Sequence, residues 1–76
     1  MMKQQLQQLA AQIRANYNRP NGVIVIHDSK YCGWMDRLRN PEHWMPGTVA
    51  VEPDQTCHIA TGGNDYDGAE RWEVIA

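Results

Sequence analysis

The chain has no phenylalanine and only two cysteines, Cys32 and Cys57, in 76 residues. Two cysteines are too few for a disulfide framework. Their separation also fits no C-x-x-C pair, so neither a knotted secreted scaffold nor a zinc ribbon is written locally into the sequence. The longest apolar run, Val23 to Ile26, is far too short to cross a bilayer. The N-terminus lacks the charged, then apolar, then small-residue succession of an export signal. These shortages predict a cytoplasmic protein with no membrane segment and, in that compartment, reduced thiols. Internal repeats, low-complexity tracts and linkers are missing too, so residues 1–76 read as one small domain.

Hydrophobic residues make up 42% of the chain and charged ones 21%, a globular balance that argues against disorder. A chain of this length buries only about 60% of the surface its unfolded form exposes, so the core is thin. The net charge of −2 conceals an asymmetry. Residues 1–39 carry Lys3, Arg14, Arg19, Lys30, Arg37 and Arg39 against Asp28 and Asp36, a balance of +4. Residues 40–76 carry Glu42, Glu52, Asp54, Asp65, Asp67, Glu70 and Glu73 against Arg71 alone, a balance of −6. Either the halves neutralise each other across a compact body, or the acidic side faces outward and steers a basic partner.

Leu6, Leu9, Ala10, Ile13 and Tyr17 recur at spacings of three and four, which predicts an amphipathic helix from Met2 to Tyr17. Pro20 and Asn21-Gly22 end it with a turn. "VIVIH" (Val23–His27) is β-branched and apolar on both faces, as a strand with a neighbour on each side or a helix over it should be, and is the expected centre of the sheet. In "DSKYCGWMDRLRN", Asp28 or Ser29 is positioned to cap a short helix and Gly33 to interrupt a longer one, giving one or two helical turns around Met35–Leu38. Asn40-Pro41-Glu42 starts another single turn, and Pro46-Gly47 closes it as a type II turn. Thr48–Glu52 and Gln55–Thr61 read as an antiparallel hairpin and Glu70–Ile75 as a last strand. The expected fold is α+β: an N-terminal helix packed on a small three- to four-stranded, mostly antiparallel sheet, with short helical turns between strands 1 and 2.

Several residue groups could carry chemistry. Asp65-Tyr66-Asp67-Gly68 has the spacing of the middle of an EF-hand loop. With Gly68 at the glycine position, however, Gly63 falls where the first ligand belongs and Val74 where the distal Glu belongs. The stretch reads as a turn instead, without bound cation. His27, Cys32, His43, Cys57 and His58 are potential zinc ligands, but none forms a preorganised pair. Cys57 and His58 would point to opposite faces of one strand. Nucleophilic catalysis would need Cys32 or Cys57 beside a base, and Cys32 with His27 and Asp28 is the grouping to suspect; so short a chain rarely encloses a substrate pocket, so no catalytic residue is assigned. Lys30, Arg37 and Arg39 interleave with Tyr31 and Trp34 as a single-strand binder would require, against a net negative charge that disfavours nucleic acid.

All six aromatics are Trp (34, 44, 72) or Tyr (17, 31, 66), which pair an apolar body with a polar tip and suit interfaces dry at the centre and wet at the rim. Trp72 and Tyr17 are expected to cover the core. Trp44, Met45 and Tyr66 fall in turn-rich stretches where burial is harder, so together with Asp65, Asp67 and Glu70 they are the candidate partner contacts. The expectation is a non-enzymatic protein-binding module without cofactor or metal, using an acidic, aromatic-bearing face against a basic protein. Inhibitors carried by phages and other mobile elements include small acidic domains of this kind, an analogy of class alone. The alternatives are a zinc-stabilised domain and a single-strand binder working through Lys30–Arg39.

Overall fold

The computed structural model describes residues 2–76. Helix α1 spans Lys3–Tyr17 and buries Leu6, Ala10 and Ile13, the heart of the predicted stripe. Its first turn is tied by the Gln5 side chain, whose Oε1 accepts the Met2 main-chain N–H at 3.0 Å. Its last turn is closed by Asn18 in the left-handed region at φ 53°, a conformation Asn tolerates better than most residues.

Five strands follow: β1 (Val23–His27), β2 (Lys30–Met35), β3 (Val49–Val51), β4 (Cys57–Thr61) and β5 (Arg71–Val74). They form one sheet in the order β2-β1-β3-β4-β5, every neighbouring pair antiparallel. The α+β class is as expected, and β1 is flanked on both sides, but the central strand is β3, because Lys30–Met35 takes the edge beside β1. The strand count and the helical turns between strands 1 and 2 are not as expected either. Residues 30–35 are a strand, and Asp28-Ser29 is the two-residue turn of a hairpin, both residues left-handed at φ 53° and 62°. Such turns favour Asn-Gly or Asp-Gly, so Asp-Ser is a weak signal for one. The residues after Met35 form bends rather than helix. A 3-10 turn at Pro41–His43 lies between β2 and β3, and Asn40 enters it at φ 49° without a side-chain cap. Pro46-Gly47 turns as expected, with Gly47 at φ 92° and the Thr48 N–H donated to the Met45 carbonyl at 3.1 Å.

The two faces of the sheet are covered by different material. On one, Ile24, Ile26, Val49, Val51 and Cys57 meet Leu6, Ala10 and Ile13 of α1. On the other, Val23, Val25, Met35 and Ala50 are covered by Leu38, Trp44 and Trp72. Gly33, read from sequence as a helix interruption, lies in β2 under the Trp44 ring: a Cβ there would meet the ring's Cη2 at 2.6 Å. The bare strand position is a seat for the indole. Trp72 donates its ring N–H to the Arg39 carbonyl at 3.2 Å, fastening the 36–46 connection over this second face.

Candidate functional site

The 62–70 connection between β4 and β5 is organised by one side chain, Asn64. Its Oδ1 accepts the main-chain N–H groups of Tyr66 (2.9 Å) and Asp67 (2.7 Å), and its Nδ2 donates to Asp67 Oδ2 at 3.1 Å. A main-chain bridge between Asn64 and Gly68 closes the loop beneath it. Asn supplies both the acceptor and the donor for this work, which Asp in the same place could not. Glu70 braces the base: its Oε1 accepts the Gly63 N–H at 3.0 Å. The loop is therefore tied from within. It holds Tyr66 at its tip, 96% exposed, between Asp65 and Asp67.

This loop is joined to the 40–46 turn. The Ala69 N–H donates to the Trp44 carbonyl at 2.9 Å, and Gly68 backs directly onto the main chain of Glu42. Two segments far apart in sequence thus become one surface. Of the six expected contacts, Tyr66, Asp65 and Asp67 project into solvent. Met45 is 40% exposed. Trp44 is half-buried over Gly33, and Glu70 is exposed but has one carboxylate oxygen engaged by the Gly63 N–H of its own loop. The sequence reading did not foresee that Asn64 organises the loop or that Gly68 seats on Glu42. The Asn64-x-x spacing of an Asx turn was a readable signal for the first, whereas the seat of Gly68 on Glu42 had none.

No ion pair among the described residues links the basic half to the acidic half. Arg39 pairs with Asp36 at 2.9 Å, and Arg71 with Glu73 at 3.0 Å and Glu70 at 3.8 Å. Arg14 and Arg19 are occupied elsewhere: the Arg14 guanidinium is spent on main-chain carbonyls, and that of Arg19 lies 5.1 Å from the centre of the Trp34 ring. Glu42, Asp65 and Asp67 have no cationic partner among the described residues.

The other groupings disperse. His27 Nδ1 contacts Thr48 Oγ1 at 3.1 Å, and His58 Nε2 contacts Glu52 Oε2 at 2.7 Å. Cys32 sits at the irregularity in the β1–β2 pairing and is exposed, while Cys57 is buried under α1. Both are free thiols, and burial pushes both above the ordinary cysteine value. Among the described residues no thiol is hydrogen-bonded to a histidine, and no three His, Cys, Asp or Glu side chains converge where a metal ion could be held. An apolar cleft of about 270 Å³ opens beside the N-terminal half of α1, lined by Leu6, Ile26, Val49, Ile59 and Ile75 with Asp28 and Ser29 at its rim. No helix among the described residues is long and apolar enough to cross a membrane. No protein-family model matches the chain, nor does any curated protein or any solved structure.

Proposed function

We propose that the chain is a non-enzymatic protein-binding module whose contact surface is the joined 40–46 and 62–70 segments, and that its partner is basic. The observation that carries this is Tyr66: an aromatic ring 96% exposed on a loop that its own hydrogen bonds hold in place, flanked by Asp65 and Asp67. A large ring left in water contributes nothing to folding, yet a prefixed aromatic anchor loses little entropy when a partner covers it. The flanking carboxylates would orient a cationic partner and speed its encounter. Size and charge extend this reading, by analogy alone, to inhibitors of basic host proteins carried by phages and mobile elements.

The rings a single nucleic-acid strand would need are engaged within the chain. Tyr31 packs on Tyr17 with centroids 4.9 Å apart, and Trp34 lies under Arg19 with its ring N–H on the Asn21 carbonyl. That favours the protein partner over the strand. The test compares affinity capture by the wild type with capture by a Tyr66→Ala/Asp65→Asn/Asp67→Asn variant, all exposed positions. Asp67→Asn keeps an oxygen for Asn64. Basic proteins retained by the wild type, released by salt and absent from the variant are the expected result. The same proteins in both samples, or none in either, would remove the reading.

A further inference from the structure

The sheet ends in two unlike edges. Along β2 the register breaks between the pairs Val25–Gly33 and Ile26–Tyr31, leaving Cys32 as an extra residue. A bulge of this kind twists an edge away from another strand. Along β5 the ladder to β4 runs unbroken from His58–Val74 to Thr61–Arg71, and among the described residues no strand pairs on the far side. The Ile75 N–H bonds to the Cys57 carbonyl at 2.8 Å, which fixes the phase: Arg71 and Glu73 turn their main-chain groups to β4. Those of Trp72 and Val74 face outward.

Consider a second β5 laid antiparallel against this edge. Centred on Arg71, the pairing would set Arg71 against Arg71; centred on Glu73, it would set Glu73 against Glu73. Both put like charges opposite each other. Centred on Val74, it would face Glu73 with Ile75. Centred on Trp72, Arg71 of each strand faces Glu73 of the other, and both residues lie on the face that carries Thr61. The two Trp72 residues then exchange both main-chain hydrogen bonds. The charged pairs fall at the non-hydrogen-bonded positions, where opposite Cα atoms approach to about 4.5 Å and side chains lie closest. Val74, 65% exposed in the single chain, is covered. Charges on an edge ordinarily blunt it; here the Trp72-centred register is the one that adds an opposite charge across the edge to the Arg71–Glu73 pair each chain already holds at 3.0 Å.

We propose that two copies of this chain pair through their β5 edges, antiparallel and centred on Trp72, into one continuous sheet. The surface adjoins the 62–70 segment at Glu70, which would lie opposite Val74 of the second copy, but does not depend on the function proposed for the Tyr66 face. Sedimentation equilibrium of the full chain, from micromolar to near-millimolar concentration, should show the mean mass rising from 8.7 kDa toward twice that. Glu73→Arg and Arg71→Glu should each weaken association at least about tenfold, because each sets like charges face to face. The double variant Arg71→Glu/Glu73→Arg reverses both signs and should recover it to within about threefold. Val74→Pro removes an outward N–H that β4 does not use, so it should leave the chain folded and monomeric. Melting curves verify the fold of each variant, and should one charge variant unfold, the double variant and Val74→Pro decide. A wild type monomeric at every concentration would overturn the proposal. So would single charge variants, or Val74→Pro, that associate as tightly as the wild type.

Discussion

Gly68 rests against the main chain of Glu42, at φ 88°, with no space for a Cβ between them. This contact locks the 62–70 loop to the 40–46 turn. Gly68→Ala must both push the segments apart and adopt a conformation that costs an L-residue about 1–2 kcal/mol. We expect it to destabilise the domain by roughly 2–3 kcal/mol. At roughly 4–8 °C per kcal/mol for a domain of this size, the melting temperature should fall by well over about 8 °C. Tyr66→Ala, at an exposed tip, should leave it within about 0.5 kcal/mol of the wild type. Thermal melts followed by circular dichroism separate the two.

Arg14 is the second structural fastener. Its guanidinium donates to the carbonyl oxygens of Arg19, Asn21, Gly22 and Val51 at 2.8–3.3 Å, pinning the end of α1 to the start of β1 and the end of β3. Burial lowers its pKa somewhat, and no carboxylate compensates. Arg14→Met leaves those acceptors without their donor and should cost about 2–4 kcal/mol. Arg14→Lys should recover less than half of that, since an ammonium lacks the planar fork that reaches divergent carbonyls. Chemical denaturation of the three proteins measures the order.

The thiols should differ in access. Iodoacetamide at mildly alkaline pH should modify Cys32 in the native protein and leave Cys57 untouched until unfolding. Modification of Cys32 should be slower than that of an unhindered thiol, because burial raises its pKa and depletes the thiolate. Mass spectrometry of digests reads both sites. Rapid, selective alkylation of Cys32 would instead mark an activated nucleophile and revive an enzymatic reading.

Acid should weaken the fold through three carboxylates. Asp36 is held below its ordinary value chiefly by its hydrogen bond with Arg39, Asp54 by the Thr56 main-chain N–H, and Glu73 by the Thr61 hydroxyl and then Arg71. A depressed folded-state pKa means the unfolded chain takes up protons first. The stability these groups contribute is therefore present above the ordinary carboxylate range, about pH 4, and is lost as the pH falls through their folded values. Melting temperature should be flat from neutrality to about pH 5 and decline below about pH 4, with a shallower decline in an Asp36→Asn/Asp54→Asn/Glu73→Gln variant. An unchanged acid limb in that variant would refute the assignment.

The residues legible from sequence were those whose partners are local. The spacing of Leu6, Ala10 and Ile13 specified α1, and Pro46-Gly47 specified its turn, because helix periodicity and turn dihedrals depend on a few adjacent residues. The "KYCGWM" stretch was misread because Gly33 in isolation looks like a helix breaker. Only the Trp44 ring packed onto it from another part of the chain explains a glycine in a strand.

By itself the sequence determined the helix, the hairpin of β3 and β4, the thin globular core and the uneven distribution of charge, all properties of composition and short-range pattern. Tertiary structure alone decided that the basic half would spend Arg14 and Arg19 on carbonyls and a ring rather than on the distant carboxylates. It also decided that Gly68 would dock on Glu42 and that β5 would be left as a free edge. The reason is physical: ion pairs, close backbone contacts and strand order depend on where remote segments meet, and no local rule carries that information.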